Sequence, residues 1–146
     1  MAETLGSLCD KLTILILKAW HSRDTEQLKN IELQQRLLRQ EIDDYLRDAV
    51  NKRIPLEYIS LPANKVYKKE GNTIREFHGK IGDIIGQLAE VNCKLWHQQE
   101  KVYEFEKVPP EEKDAVIKGL AILNLERNQC IDAINAQLYT LIQNIK

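Results

Sequence analysis

The sequence predicts an all-α fold: a four-helix bundle made of two duplicated antiparallel helical hairpins joined by a long ordered strap. Apolar residues recur every three or four positions along four long segments, which is the period of a helix with one buried face. A segment containing prolines divides the four into two pairs, and part of the first pair recurs in the second. The length of 146 residues suits one domain, spanning 1–146, with a substantial core.

The first hairpin, residues 1–50, contains predicted helices over 2–21 and 25–50. In the first helix the segment Leu12–Leu17 is apolar nearly all round. Protein should therefore cover it on most sides, either from this chain or from a second subunit. Asp24, three residues before Gln27, is the expected N-cap of the second helix. The connecting turn is short and predicts an antiparallel pair.

The strap, residues 51–72, cannot be one continuous helix because it contains Pro55 and Pro62. Its apolar residues are too many for a free linker; they are Ile54, Leu56, Tyr58, Ile59 and Leu61. We expect the strap to be ordered and to lie across the bundle.

The second hairpin, residues 73–146, contains predicted helices over 73–106 and 110–145. Thr73 and Glu76 have the spacing of a capping box for the 73–106 helix. Opposite its apolar stripe this helix carries Gly79, Gly82 and Gly86. Glycine inside a helix costs about 1 kcal/mol relative to alanine, so we expect these residues to form a second packing face.

Two segments of the first helix recur at an offset of 76 residues. Leu5-Gly6-Ser7-Leu8 corresponds to Ile81-Gly82-Asp83-Ile84, and Lys18-Ala19-Trp20-His21 corresponds to Lys94-Leu95-Trp96-His97. The repeat predicts that the two hairpins superpose and that Trp20 and Trp96 have equivalent environments.

The composition narrows the functional classes. The formal net charge is −1, so no overall positive field recruits nucleic acid. Charged residues interrupt every apolar stretch, and neither a signal peptide nor membrane insertion is expected. Cys9, Cys93 and Cys130 lack the spacing of a disulfide framework or a zinc site. We expect reduced thiols in a cytoplasmic protein.

The second hairpin contains two further segments, Asn92-Cys93-Lys94-Leu95-Trp96-His97 and Leu123-Asn124-Leu125-Glu126-Arg127-Asn128 followed by Ile131-Asp132. Together they resemble the pattern of a bacterial all-helical family of unknown function. The family pattern favours an acidic pair after Trp-His, whereas Gln98-Gln99-Glu100 keeps one displaced acid. The resemblance covers less than half of the chain and implies a helical fold but no activity.

Arg127 is the main candidate for a functional side chain. It lies on the apolar stripe of the last helix, where an unpaired charge would cost several kcal/mol. We expect it to form a polar cluster with Glu90, Asn92 or Asn124. A closed cluster would fix the helix register. An open cleft beside it, with Trp96 as one wall, would bind a carboxylate, a phosphate or a sugar nucleotide through the guanidinium.

A second candidate site is a metal centre formed by His21, Asp24, His97 and Glu100, because a histidine and an acid three residues on can share one helix face. The sequence indicates no cofactor, no glycine-rich phosphate loop and no nucleophile beside a base. It favours a non-enzymatic interaction or scaffolding module of the bacterial cytoplasm, acting as a homodimer or with a protein partner. The alternatives are a protein or enzyme acting on an anionic ligand, and a metal-binding bundle.

Overall fold

The computed structural model describes residues 2–63 and 76–145, which form four α-helices and no β-strand. The helices are α1 (Leu5–His21), α2 (Thr25–Val50), α3 (Ile81–Tyr103) and α4 (Lys113–Gln143). The prediction of an all-α fold with four packed helices is confirmed. α1 packs on α2 and also lies against α3 and α4, which pack on each other. Within the described ranges, no helix is long and apolar enough to cross a membrane.

Side-chain caps determine where the helices of the first hairpin begin. Thr4 caps α1: its hydroxyl accepts the Ser7 N–H at 3.2 Å, and the Ser7 hydroxyl accepts the Thr4 N–H at 2.8 Å. α1 therefore begins slightly later than the predicted residue 2. α2 spans the predicted range. The Asp24 carboxylate caps it by accepting the N–H groups of Glu26 at 2.9 Å and Gln27 at 3.4 Å.

The third helix begins well after the predicted residue 73, so that predicted start is wrong. Gly79 has a φ of 120°, which lies outside the helical range and is readily adopted only by glycine. The helix follows directly, and the Asp83 carboxylate accepts the Lys80 N–H at 3.0 Å at its first turn. Glu76 therefore precedes the helix instead of capping it, and Thr73 lies outside the described residues.

The tip between α3 and α4 is less regular than predicted. The α-helix ends at Tyr103, before the predicted residue 106, and a short 3-10 turn follows over Phe105–Lys107. A second 3-10 turn, Pro110–Glu112, precedes α4. Proline at the first position of this turn lacks an N–H that would have no partner there, so it favours the start of a helix.

The described part of the strap lies on α4. Its 3-10 turn, Leu56–Tyr58, contacts that helix, and the adjacent Ile59 is fully buried. The N–H of Ala63 donates to the Asp132 carboxylate at 2.7 Å. Residues 64–72 of the predicted strap lie outside the described residues, so the prediction of order across the whole strap stays a prediction.

The hydrophobic core is concentrated at one end of the bundle. It is formed by the first turns of α1 and α3, the last part of α2 and the second half of α4, with Ile59 from the strap; its centre contains Leu5, Ala49, Ile84, Leu88, Val91, Cys130, Ile134 and Leu138. We call this the closed end. The opposite end, where α1 and α3 finish and α2 and α4 begin, has few buried side chains and is called the open end.

The two halves begin alike but differ at the open end. α1 begins at Leu5 and α3 at Ile81, in agreement with the offset of 76. Trp20, however, is 83 % exposed, whereas Trp96 is half-buried and stacks on the His21 ring, with the ring centroids 4.7 Å apart. The predicted equivalence of the two tryptophans is not seen.

Candidate functional site

An ion pair between α1 and α4 forms the centre of the candidate site. Asp10, in the second turn of α1, is 4 % exposed. The Arg127 guanidinium of α4 donates to it twice, from Nε to Oδ1 at 3.0 Å and from Nη2 to Oδ2 at 2.8 Å. This two-point geometry is the strongest arrangement of an arginine with a carboxylate. Arg127 therefore has the polar partner that its position on the apolar stripe requires.

α3 completes the cluster through Asn92, which is 3 % exposed. Its side-chain amide donates to Asp10 Oδ1 at 2.9 Å and to Thr13 Oγ1 at 2.7 Å. The Thr13 hydroxyl in turn donates to the backbone carbonyl of Asp10 at 2.8 Å. One carboxylate thus accepts side-chain hydrogen bonds from two other helices, and the cluster fixes how α1, α3 and α4 are aligned.

A second buried polar contact joins α1 to α4 nearer the closed end. Asn135 is fully buried; its carbonyl oxygen accepts the Gly6 N–H at 2.8 Å, and its amide donates to Thr4 Oγ1 at 2.9 Å. A Cβ at Gly6 would lie 2.4 Å from the backbone oxygen of Ile131, so only glycine allows this approach. Sequence analysis did not identify Asn135, because an isolated asparagine among regular apolar positions resembles an ordinary exposed residue.

The surroundings of Asp10 also affect a neighbouring thiol. Burial, and then the negative charge of Asp10, raise the pKa of Cys9 from 9.0 to about 11. Cys9 therefore remains a protonated thiol at neutral pH and is a poor nucleophile. Cys9, Cys93 and Cys130 are all free in the structure.

A cleft of about 190 Å³ opens beside the ion pair, between α1, α3 and α4. It brings together four of the residues singled out from the sequence: Arg127, Asn92, Asn124 and Trp96. Glu90 is not among the described residues that line it; Glu90 is exposed and pairs with Lys94 at 3.0 Å. The cleft thus lies beside Arg127 and is bordered by Trp96. Ligand binding there stays a prediction.

The electrostatics of this cleft differ from the expected arrangement. The sequence predicts that the Arg127 guanidinium meets Glu90, Asn92 or Asn124, or an anionic ligand. Instead the nearby Asp10 carboxylate neutralises its charge. The Asn124 amide donates to the Leu120 carbonyl of its own helix at 3.2 Å. The cleft therefore offers hydrogen-bond donors but little net positive charge.

The residues of the alternative metal site lie near the open end. The His21 and His97 ring centroids are 6.2 Å apart, and His97 Nδ1 is 3.8 Å from a Glu100 carboxylate oxygen. His21 Nδ1 lies 2.7 Å from the Leu17 carbonyl, and Asp24 caps α2. Over the described ranges, no group of three or more histidine, cysteine, aspartate or glutamate side chains is arranged to hold a metal ion.

The sequence pattern indicates a polar cluster around Arg127 but does not identify Asp10 as its principal partner. Asp10 is the only acidic residue of α1, and it lies in a helix of otherwise mainly apolar residues. That isolation was the available signal.

No family model matches the chain, and neither the curated proteins nor the solved structures contain a match. The resemblance to a bacterial helical family stays a prediction.

Proposed function

We propose that the protein is a non-enzymatic helical module that works by association, with a second copy of the chain as its partner. The observation that carries this proposal is the incomplete burial of the second half of α1. Its buried residues end at Asp10, and none of the apolar residues of Leu12–Leu17 is fully covered by the chain. A helix that is apolar on most sides needs protein on most sides.

The exposed apolar side chains of α1 lie together on one side of the helix. Ile16 is 36 % exposed and Trp20 is 83 % exposed, and their spacing of four residues puts them one above the other on α1. Tryptophan is enriched where interfaces bury one large aromatic anchor. We call the surface formed by Ile16 and Trp20 the Trp20 face. We infer that Trp20 is such an anchor and that the Trp20 faces of two copies of the chain meet in a homodimer.

The charge of the chain is compatible with self-association. With a formal net charge of −1, two copies repel each other only weakly. The exposed face of α3 is a second candidate surface, because a Cβ at Gly82 or Gly86 would have no atom within 4 Å. Gly79 does not belong to this face, since it precedes the helix.

The duplication of the hairpins is part of this proposal. We infer that the halves derive from one hairpin, on the basis of the repeated segments and of the helix starts at equivalent positions. The exposure of Trp20 and the partial burial of Trp96 then mark where the halves have come to differ. The first half keeps an uncovered aromatic residue at the position where the second half packs its ring on His21.

Light scattering after size exclusion tests the association. The wild-type chain at about 50 µM should have the mass of a dimer, and Ile16→Gln/Trp20→Gln should shift it to the monomer while circular dichroism stays helical. Tyr103→Gln is the matched control, because Tyr103 is an exposed aromatic residue (78 %) of another helix. A monomeric wild type would overturn the proposal, and a dimer that survives the double substitution would exclude the Trp20 face.

A small anionic ligand bound through Arg127 is the weaker second candidate. The cleft beside Arg127 supports it. The bidentate pair with Asp10 opposes it, because an incoming anion would have to compete with a buried carboxylate for the same guanidinium. For this reason we place association first.

A further inference from the structure

A cavity lies between α1 and α2 at the open end, on the side of α1 away from the Trp20 face. Its volume is about 470 Å³, within the usual range for a small-molecule site. Leu15 and Ile31 provide apolar surface, and the stacked rings of His21 and Trp96 form an aromatic wall. It is separate from the Arg127 cleft, although Trp96 borders both.

The described lining of this cavity contains a positively charged side chain and no negatively charged one. Lys18 lines it, and among the described lining residues there is no carboxylate. Within the described ranges Lys18 has no ion-pair partner, in contrast to Lys11 further down the same helix, which pairs with Glu3. A lysine ammonium without a carboxylate nearby is an available point charge for an anion.

Two polar side chains of the cavity, Gln27 and Asn30, use their carbonyl oxygens in hydrogen bonds within the lining. The Gln27 side-chain carbonyl accepts the Ser22 hydroxyl at 2.9 Å, and the Asn30 side-chain carbonyl accepts the Gln34 amide at 3.0 Å. The NH₂ groups of Gln27 and Asn30 thus remain available to donate. With Lys18, they give the cavity an excess of donors over acceptors.

We propose that this cavity binds a small organic phosphate, with the phosphate held by Lys18, Gln27 and Asn30 and a flat ring packed on the His21–Trp96 wall. A phosphate group accepts several hydrogen bonds at once, which matches a donor-rich lining without carboxylates. An aromatic wall binds a planar ring by stacking or edge contact. This inference concerns a different surface from the proposed dimer interface and does not depend on it.

The test uses phenyl phosphate as the probe, with inorganic phosphate and phenol as the two halves of that molecule. Binding is followed by calorimetry and by tryptophan fluorescence in the full chain carrying Trp20→Phe. Because the sequence has two tryptophans, this background leaves Trp96 as the only reporter. We expect phenyl phosphate to bind with a change in Trp96 emission, and inorganic phosphate and phenol to bind at least about tenfold more weakly.

Two lysine variants locate the site. Lys18→Gln should weaken phenyl phosphate binding at least about tenfold, because Lys18 is the only lysine or arginine among the described residues of the lining. Lys29→Gln is the matched control: Lys29 is an exposed lysine of the same hairpin, lies outside the described lining and should leave binding unchanged. Circular dichroism of each variant checks that the fold is kept.

Three results would overturn the proposal. The first is the absence of phenyl phosphate binding up to about 10 mM. The second is equal affinity for phenyl phosphate and either inorganic phosphate or phenol, which would show that one of the two parts contributes nothing. The third is unchanged binding in Lys18→Gln, which would place the anion elsewhere on the molecule.

Discussion

Arg127 on α4 holds Asp10 on α1 by two hydrogen bonds, of 3.0 and 2.8 Å, between residues 117 positions apart in the chain. Asp10 is almost fully buried, while the Arg127 side chain keeps 33 % of its exposure. The carboxylate therefore depends on the arginine more than the arginine depends on the carboxylate. The arginine can still be hydrated on its outer side, whereas Asp10 relies on protein donors for its solvation.

Replacing Arg127 tests this asymmetry. Arg127→Met should lower the free energy of unfolding by about 2–4 kcal/mol, because it leaves the buried Asp10 carboxylate with Asn92 as its remaining side-chain donor from another helix. We place the loss below that of a fully buried pair, since Arg127 is partly exposed. Urea denaturation measures it. Arg36→Met, at an exposed arginine of α2, is the control and should change stability little.

The double variant Asp10→Asn/Arg127→Met separates the charge from the packing. Asparagine keeps an acceptor for the Asn92 amide and carries no charge that needs solvation. The double variant should be more stable than the sum of the two single effects predicts, by about 1 kcal/mol or more. Strict additivity would show that the two residues do not interact energetically.

The repeat-equivalent glycines Gly6 and Gly82 should respond oppositely to alanine. At Gly6 a Cβ would lie 2.4 Å from the Ile131 carbonyl oxygen, and the backbone must move, at a cost of about 1–3 kcal/mol. At Gly82 a Cβ would meet no atom within 4 Å, and the better helix former should add about 0.5–1 kcal/mol. Thermal unfolding of dilute protein measures both variants. A destabilised Gly82→Ala would mean that this face is already covered.

The three thiols should differ in reactivity. Cys9 and Cys130 are buried and Cys93 is half-buried, so an aromatic disulfide reagent at pH 8 should label one thiol rapidly and two slowly. Cys93→Ser should abolish the rapid phase, and Cys9→Ser should leave it intact. Rapid labelling of two thiols in the native protein would contradict the burial of Cys9 or Cys130.

The pKa of Cys9 also predicts a loss of stability in alkali. Its value is 9.0 in the reference state and about 11 in the folded chain. Between these values the unfolded chain ionises the thiol while the folded chain does not, so the free energy of unfolding falls as pH rises. Below pH 9 this contribution is fully present. Wild type should lose more stability over this window than Cys9→Ala, as followed by denaturant unfolding at each pH.

Asn135 should tolerate truncation less well than an exposed asparagine of the same helix, because it is fully buried. Asn135→Ala leaves the Gly6 N–H without its acceptor inside the closed end, which should cost about 1–3 kcal/mol. Asn124→Ala is the control on the same helix, because Asn124 is exposed and its amide donates to the Leu120 carbonyl one turn away. Equal effects of the two substitutions would argue against the buried contact.

Local patterns in the sequence determined the helices themselves. The range of α2 and its Asp24 cap follow from periodicity and from a single capping residue, both of which act within a few positions. The predicted start of α3 was wrong for an equally local reason. Gly79 adopts a positive φ just before the helix, and a glycine in the sequence permits this conformation without requiring it. The apolar stripe of α4 also indicated that Arg127 faces protein and needs a polar partner.

Only the tertiary structure decided which partner Arg127 has and which ends of the helices are covered. Periodicity identifies the face of a helix that is buried, but the residue opposite depends on how α1 is placed against α4. The isolation of Asp10 in α1 is visible in the sequence, but only that placement pairs Asp10 with Arg127. The same placement buries the closed end and leaves Trp20 uncovered while Trp96 stacks on His21, although the two tryptophans occupy matching positions in the repeat. Similar local sequences form a helix in both places, whereas burial depends on the neighbouring helices.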